Sequence, residues 1–284
     1  MTGTTADVAY DPHAGVGDLK ELTRALRFDV LDMTGKYSGH VSSCFSAVEI
    51  MTALYFNGVL RYRPADPDWQ GRDRFILSKG HAAPLLYAIL AHAGYFEHDQ
   101  LGKFRQMNSG LHGHPVQGTL PGVEMTAGSL GQGLSFGLGC LLAGTLSGLN
   151  YRSYVLLGDG ECQEGQIWEA AMAASHMRAE RLIAIVDHNK YQQTGPIERE
   201  MSLAPFAAKW RSFGWRVEEC DGHDIAAITA VLTALQAKNG RPSVLIAHTR
   251  KGKGVTFVES DYTFHGRALT AEQDTRAREE IRCN

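Results

Sequence analysis

The chain has 284 residues, with 28 Lys plus Arg against 31 Asp plus Glu and a formal net charge of −3. With 44% hydrophobic and 21% charged residues, it can bury a sizeable core without disulfide or metal staples, which excludes an intrinsically disordered chain. The near balance of charge supplies no broad basic field for nucleic acid.

Five cysteines (Cys44, Cys140, Cys162, Cys220 and Cys283) are scattered and never in CxxC spacing. Neither a disulfide framework nor a thiolate zinc site follows. Residues 1–15 lack an apolar run behind a basic start, so no secretory signal is expected. Residues 1–16 read as a flexible arm, and a reducing, cytoplasmic setting is the simplest expectation.

In chain order, residues 16–34 read as an amphipathic helix carrying Leu19, Leu22, Leu26, Val30 and Met33 near helical spacing. Residues 46–56 read as a second helix with Ser46 as N-cap. Residues 61–74 form a loop rich in Pro, Asp and Trp, and 74–77 a short strand that runs into SKGH. Residues 82–93 read as helix and 109–123 as an irregular Gly/Pro/His segment. Residues 125–151 carry no charge and are long enough to span a bilayer. Gly128, Gly131, Gly133, Ser129, Gln132 and Ser135 dilute that hydrophobicity, so a buried small-residue helix over 129–146 is expected, and no membrane.

A clearer α/β alternation follows. Residues 153–157 (SYVLL) and 182–186 (LIAIV) are continuous apolar strands flanking a helix over 163–176. Strands over 216–219 and 244–247 flank a helix over 225–237, and 272–282 form a charged helical tail. Continuous apolar strands joined by helices imply an α/β fold, a parallel sheet with helices on both faces. A single domain over 1–284 is expected, with residues 267–284 as its charged tail.

In such sheets ligands bind beyond the C-terminal ends of the strands. SYVLL runs into Gly158-Asp159-Gly160, and LIAIV into Asp187-His188-Asn189. One helical crossover would set Asp159 and Asn189 side by side. A carboxylate and an amide oxygen suit a hard cation such as Mg²⁺, which shares its shell with phosphate; Ca²⁺ and Mn²⁺ accept the same donors. The glycines let a phosphate approach the backbone, and a helix start after Gly160 would add N–H donors. GDG alone is a common turn; GDG closing one apolar strand and Asn closing the next is more specific, the pattern of a thiamin-diphosphate site.

Six ordered motifs extend that pattern: SKGHAAPLLYAILAHAGYF (78–96), GLHGHP (110–115), GSLGQGLSFGLG (128–139), GDGECQEGQIWEAAMAASH (158–176), DHNKYQQTG (187–195) and KGKGVTFVE…FHG (251–266). Over residues 17–270 the chain resembles the N-terminal half of a transketolase, with its thiamin-diphosphate-binding fold. The resemblance implies Asp159 and Asn189 as metal ligands, with Tyr191 offering its backbone carbonyl. It implies His81, Gly160, Asn189, Lys251 and His265 around the cofactor, and Gly128, Ser129 and Leu130 at its aminopyrimidine end. Glu164 matches an acidic residue near the subunit interface that couples paired cofactors. His40, His114 and His265 are the implied acid/base or hydroxyl-binding groups, with His112 a weaker candidate.

His92, His98, His176 and His223 are given no site role by the motifs and read as surface or structural. Lys79 reads as a solvated lysine rather than a phosphate contact, and Cys162 as a small core residue. The implied reaction is transfer of a two-carbon ketol unit from a ketose (phosphate) donor to an aldose acceptor. Two alternatives stand beside it: transfer of a glycolyl unit to a carrier protein, and a catalytically silent subunit. The resemblance omits the pyrimidine-binding and C-terminal domains of a transketolase. A second transketolase subunit carrying them is therefore the expected partner, in an α2β2 heterotetramer.

Overall fold

A computed structural model describes residues 18–283; the arm expected over 1–16 lies outside them. The elements are α1 (Leu19–Tyr37), α2 (Val41–Phe45), α3 (Val48–Phe56), β1 (Arg74–Leu77), α4 (Ala83–His92), α5 (Gln132–Leu146), β2 (Ser153–Gly158), α6 (Gly165–His176), β3 (Leu182–His188), α7 (Ile197–Met201), α8 (Phe206–Ser212), β4 (Arg216–Asp221), α9 (Ile225–Leu235), β5 (Ser243–His248) and α10 (Ala271–Cys283). The five strands form one parallel sheet in the order β1-β2-β3-β5-β4.

The sheet is apolar on both faces because successive side chains point to opposite sides. Tyr154, Leu156, Ile183, Ile185 and Leu245 face a core shared with α1 to α4, α9 and α10. Val155, Leu157, Leu182, Ala184, Val186 and Ile246 face a second core with α5, α6 and α8. That two-sided burial is why these strands read as unbroken apolar runs rather than alternating ones. α10 is not a loose tail: Ala277 and Ile281 are buried in the first core. No helix of the described residues is long and apolar enough to cross a membrane.

The helix starts depart from the sequence expectation where a side chain has a stronger partner elsewhere. α1 begins at Leu19 because the Asp18 carboxylate accepts the Lys20 N–H at 2.8 Å. Ser46 does not cap a helix. Its hydroxyl donates to the Asp187 carboxylate across the fold, the chain breaks there, and α3 starts after Ala47. α5 begins at Gln132, not 129, because Gly131 takes a left-handed φ of 87° and its N–H is held by the Glu161 carboxylate at 2.8 Å. A Cβ at Gly131 would sit 2.8 Å from that of Glu164, so only glycine fits this turn. α7 and α8, between β3 and β4, carry too short a pattern to be read from periodicity.

Candidate active site

The C-terminal ends of β1, β2, β3 and β5 lie side by side, and each delivers a polar residue to the same edge. Ser78 and Lys79 follow β1, Asp159 follows β2, Asp187 to Asn189 close β3, and Thr249 and Lys251 follow β5. Gly158 is in register with Asp187, and Asp187 with Ala247. The sheet therefore sets the Asp159 and Asn189 backbones on adjacent strands, as a single helical crossover requires.

Asp159 is 1% exposed. One carboxylate oxygen accepts the Gly160 N–H at 2.8 Å and the other the Lys190 N–H. Burial, then the negative charge of Asp187, push its carboxyl up to about 7, against those two N–H donors and the Lys79 ammonium. A buried carboxylate held at that level calls for a cation. Asn189 supplies the second oxygen: its Oδ1 accepts the Tyr191 N–H at 3.1 Å while its Nδ2 faces the Asp187 carboxylate at 3.3 Å. That fixes which end of the amide points where. Tyr191 pairs with Pro196 in an isolated antiparallel bridge, whose hydrogen bonds run through the Lys190 carbonyl and the Gln192 N–H rather than through Tyr191. Gln192 places its Cβ 3.1 Å from where a Cβ on Gly160 would stand, and its Oε1 is buried without a hydrogen-bond partner. A backbone cradle with little room for a side chain, two oxygen donors and an orphaned amide oxygen together fit a hydrated divalent ion with a diphosphate.

Lys79 overturns its sequence expectation. It is 1% exposed, and its ammonium donates to the Asp187 carboxylate and to the Ser43 carbonyl at 3.1 Å. Sequence could not show this, because the partners lie on α2 and β3. Burial alone would raise the Asp187 carboxyl. The Lys79 charge and the hydrogen bonds from Lys79, Ser46 and Thr249 outweigh burial and hold it below the ordinary carboxylate range. Lys251 is the contrasting cation. It is 1% exposed, and its ammonium meets only neutral partners, Ser43 Oγ at 3.3 Å and His265 Nδ1 at 3.1 Å. Burial, then the neighbouring Lys79 charge, lower it to about 8. An ammonium so placed fits an incoming anion.

Beside these charges stand four imidazoles. His40 lies 5.1 Å from His81, 5.0 Å from His265 and 6.2 Å from His114, ring centre to ring centre, and His81 lies 5.3 Å from His265. They come from the start of α2, the turn after β1, the 109–123 segment and the loop before α10. Burial is the largest cause in all four and lowers each: His40 to about 4, His265 to about 3, His81 far below its ordinary value and His114 in the same direction. Neighbouring cations push the same way. At neutral pH the cluster is four neutral rings, each able to donate at one nitrogen and accept at the other. Gly80 lets the SKGH turn meet the GSLG segment: a Cβ there would fall 2.7 Å from that of Ala127 and 3.2 Å from the Gly128 nitrogen.

The remaining predicted residues take their places around this centre. Gly128 lies beneath His114, Ser129 is exposed, and Leu130 is half-buried just before the Gly131 turn. Glu164 is exposed, with its Cβ packed against the Gly131 turn. His112 is exposed and contributes its carbonyl to the Tyr87 hydroxyl instead of a ring to the cluster. Cys162 is fully buried, and burial pushes its thiol far up, so it is a packing residue. His223 is a structural residue, with Nδ1 on the Glu49 carboxylate at 2.9 Å.

Two residues of this region went unread. Glu161 is 3% exposed and ties three segments together: its carboxylate accepts the Ser78 hydroxyl, the Gly131 N–H and the Gly158 N–H. Its place one residue after GDG was the available signal. Arg105 lowers both His40 and His114 by its charge and donates to the Tyr37 carbonyl at 3.2 Å. No motif marks it.

Residues 18–284 match the family described as transketolase, thiamine diphosphate binding domain. The chain is 40% identical over 256 residues to the 6-deoxy-6-sulfo-D-fructose transketolase subunit SqwG of a Clostridium species, covering 90% of this chain and 93% of that one. It is 39% identical over 267 residues to an apulose-4-phosphate transketolase subunit from Actinobacillus succinogenes, covering 93% and 96%. Among solved structures, the transketolase of Campylobacter jejuni superposes with a TM-score of 0.87 at 32% identity, covering 93% of this chain and 42% of that one. The chain thus spans nearly the whole of the two subunits and about four-tenths of the solved transketolase. It belongs to the transketolase family, as a thiamine diphosphate binding domain.

Proposed function

We propose that this chain is the diphosphate- and metal-binding subunit of a split transketolase. The reaction is transfer of a two-carbon ketol unit from a ketose phosphate donor to an aldose acceptor. The observation that carries this reading is the junction at one sheet edge of the Asp159 carboxylate and Asn189 amide oxygen with four neutral imidazoles. Asp159, Asn189 and the Tyr191 carbonyl would hold Mg²⁺ or a similar hard cation. Lys251, His81 and the Gly160 backbone would receive the diphosphate. Gly128, Ser129 and Leu130 would line the aminopyrimidine end. When bound, thiamin diphosphate supplies the electron sink for cleaving a carbon–carbon bond next to a carbonyl.

The chain's own part is positioning and proton handling. Neutral His40, His114 and His265 can accept a hydroxyl proton at one nitrogen while donating at the other to a neighbouring sugar oxygen. Their depressed basicity keeps them in that state across neutral pH. The sugar class is supported by relatives named for a sulfosugar and for apulose 4-phosphate. The split is supported by the same relatives, which are named as subunits and are matched over nearly their full length, whereas the human transketolase is covered over 42% of its own. A second chain would bring the rest of the active site against the face bearing Glu164, in an α2β2 assembly.

The experiment is calorimetry of thiamin diphosphate with Mg²⁺, on this chain alone and mixed with the product of the neighbouring gene, followed by ketose cleavage. Tight binding and cleavage in the mixture, both lost in Asp159→Ala, are expected. A folded mixture that binds no cofactor would overturn the reading in favour of a silent subunit.

A further inference from the structure

Away from the strand ends, three residues to which the family resemblance gives no site role converge on one point. Asp29 stands in the middle of α1, His92 closes α4, and His98 opens the 3₁₀ turn His98–Lys103. The Asp29 carboxylate takes His92 Nε2 on one oxygen at 2.8 Å and His98 Nε2 on the other at 3.0 Å. The two rings lie 5.1 Å apart at 75°, so their nitrogens approach from different directions. One donor atom from each of the three residues fits within a span of 4.8 Å. Asp29 is 8% exposed, while the His98 side chain is 57% exposed. The carboxylate is thus anchored in the protein and one imidazole opens to solvent, which gives an ion a path in.

We propose that Asp29, His92 and His98 form a second metal site, for a borderline transition ion of the Zn²⁺ or Co²⁺ class. Two imidazoles and one carboxylate are the donor set such ions prefer, and three protein ligands leave a fourth position for water. The Asp159–Asn189 pair offers only oxygen and selects hard cations. The two sites therefore sort ions by donor chemistry. Ligands of a tetrahedral ion about 2.0–2.1 Å away lie roughly 3.3 Å apart, so the donor atoms need only small shifts, which the exposed His98 ring can supply. Both rings now face the carboxylate through Nε2. There Nε2 carries the proton donated to the carboxylate; on binding, each ring shifts that proton to Nδ1 (the other neutral tautomer), and the freed Nε2 lone pairs and a carboxylate oxygen turn to the metal. The ion would pin the middle of α1 to the α4 end.

The inference stands apart from the proposed activity and is tested on the full chain with Mg²⁺ and thiamin diphosphate present. The four-histidine cluster can also offer imidazoles to zinc, so variants assign the site. Zinc titration should give one equivalent bound and raise the melting temperature by about 5 °C at a hundredfold excess over Kd. Co²⁺ should give the intense visible absorption of a four-coordinate ion. His98→Ala should weaken binding at least about tenfold and abolish the temperature rise, with His98→Gln as a second variant and far-ultraviolet dichroism to verify folding. His114→Ala should keep both signals. Zinc uptake that survives His98→Ala but is lost in His114→Ala overturns the site. So does no zinc uptake at micromolar concentration, which would leave the triad a hydrogen-bonded clamp only.

Discussion

Two of the charged regions of this molecule, the sheet edge and the seam between α1 and α10, differ in burial. At the C-terminal edge of the sheet, Lys79, Asp159, Asp187 and Lys251 are each at most 1% exposed. On the α1–α10 seam, Arg278 bridges Asp32 at 2.8 Å and Asp274 at 2.7 Å, yet the Asp32 side chain is 64% exposed. Exposed pairs contribute little, because water already solvates them. Buried charges are costly unless paired, so four of them at one edge are a poor source of stability. Within the edge the four differ again. Lys79 and Asp187 satisfy each other, while Asp159 and Lys251 are left with neutral partners in hydrogen-bond contact.

The sharpest way to break the comparison is to remove one partner of the satisfied pair. Asp187→Asn keeps the shape but strands the Lys79 ammonium in the interior. It should cost about 3–5 kcal/mol of stability, read by denaturant unfolding of the chain without cofactor. A loss below about 1 kcal/mol would mean that water reaches this edge, and the contrast with the seam would fail.

Next comes the neutral imidazole cluster, where the effect should fall on rate and not on stability. His40→Ala, assayed in the complete assembly, should lower kcat for ketose cleavage by on the order of 10²-fold or more, the range of a positioned acid/base group. Its melting temperature should stay within a few degrees of the parent. Should both fall together, His40 is packing rather than chemistry.

How far the edge was legible from sequence follows the same division. Asp159 and Asn189 stood out because two apolar strands each end in a polar residue, a local signal, and the parallel pairing that joins them follows from the strand character itself. The approach of His40, His81, His114 and His265 rested on motifs scattered over the chain, and the fold brings their rings within 5.0–6.2 Å along four of the pairings. What could not be read is what depends on a distant partner. Lys79 looks solvated until Asp187 is set against it. Ser46 looks like a cap until its hydroxyl finds the same carboxylate. Glu161 and Arg105 act on backbone and rings that sequence does not bring near. Asp29, His92 and His98 fall in the same class, since α1 and the end of α4 meet only in the folded chain.

The unsatisfied cation should show the opposite sign. Replacing Lys251 by methionine removes a buried ammonium that has only neutral contacts, so Lys251→Met should stabilise the cofactor-free chain at pH 7 by about 1–4 kcal/mol while weakening thiamin diphosphate binding. The pH dependence follows from the shift. The lysine ionises near 10.5 when unfolded and near 8 when folded, so the folded state sheds its proton first as pH rises. The cost of the charge is complete below about pH 8 and is relieved between pH 8 and 10.5. The stability gap between variant and parent should therefore be widest at pH 7 and close toward pH 10.5. A gap that widens with pH would show that Lys251 is held by a charge of the chain itself and not kept for an anion.

The smallest effect belongs to the seam. Arg278→Ala removes both carboxylate contacts of a side chain on the protein surface. At the 0–1 kcal/mol typical of exposed pairs, its melting temperature should fall by no more than about 2–4 °C. The decrement should shrink in 1 M salt, where the screening length drops to about 3 Å. The seam's stability rests instead on Ala277 and Ile281, which α10 buries in the core beside α1. Ile281→Ala, which deletes buried methyl groups, should cost about 2–5 kcal/mol and be indifferent to salt. If the arginine variant proves the more damaging of the two, the ion pairs and not the apolar stripe hold α10 in place, and exposure no longer separates the two regions.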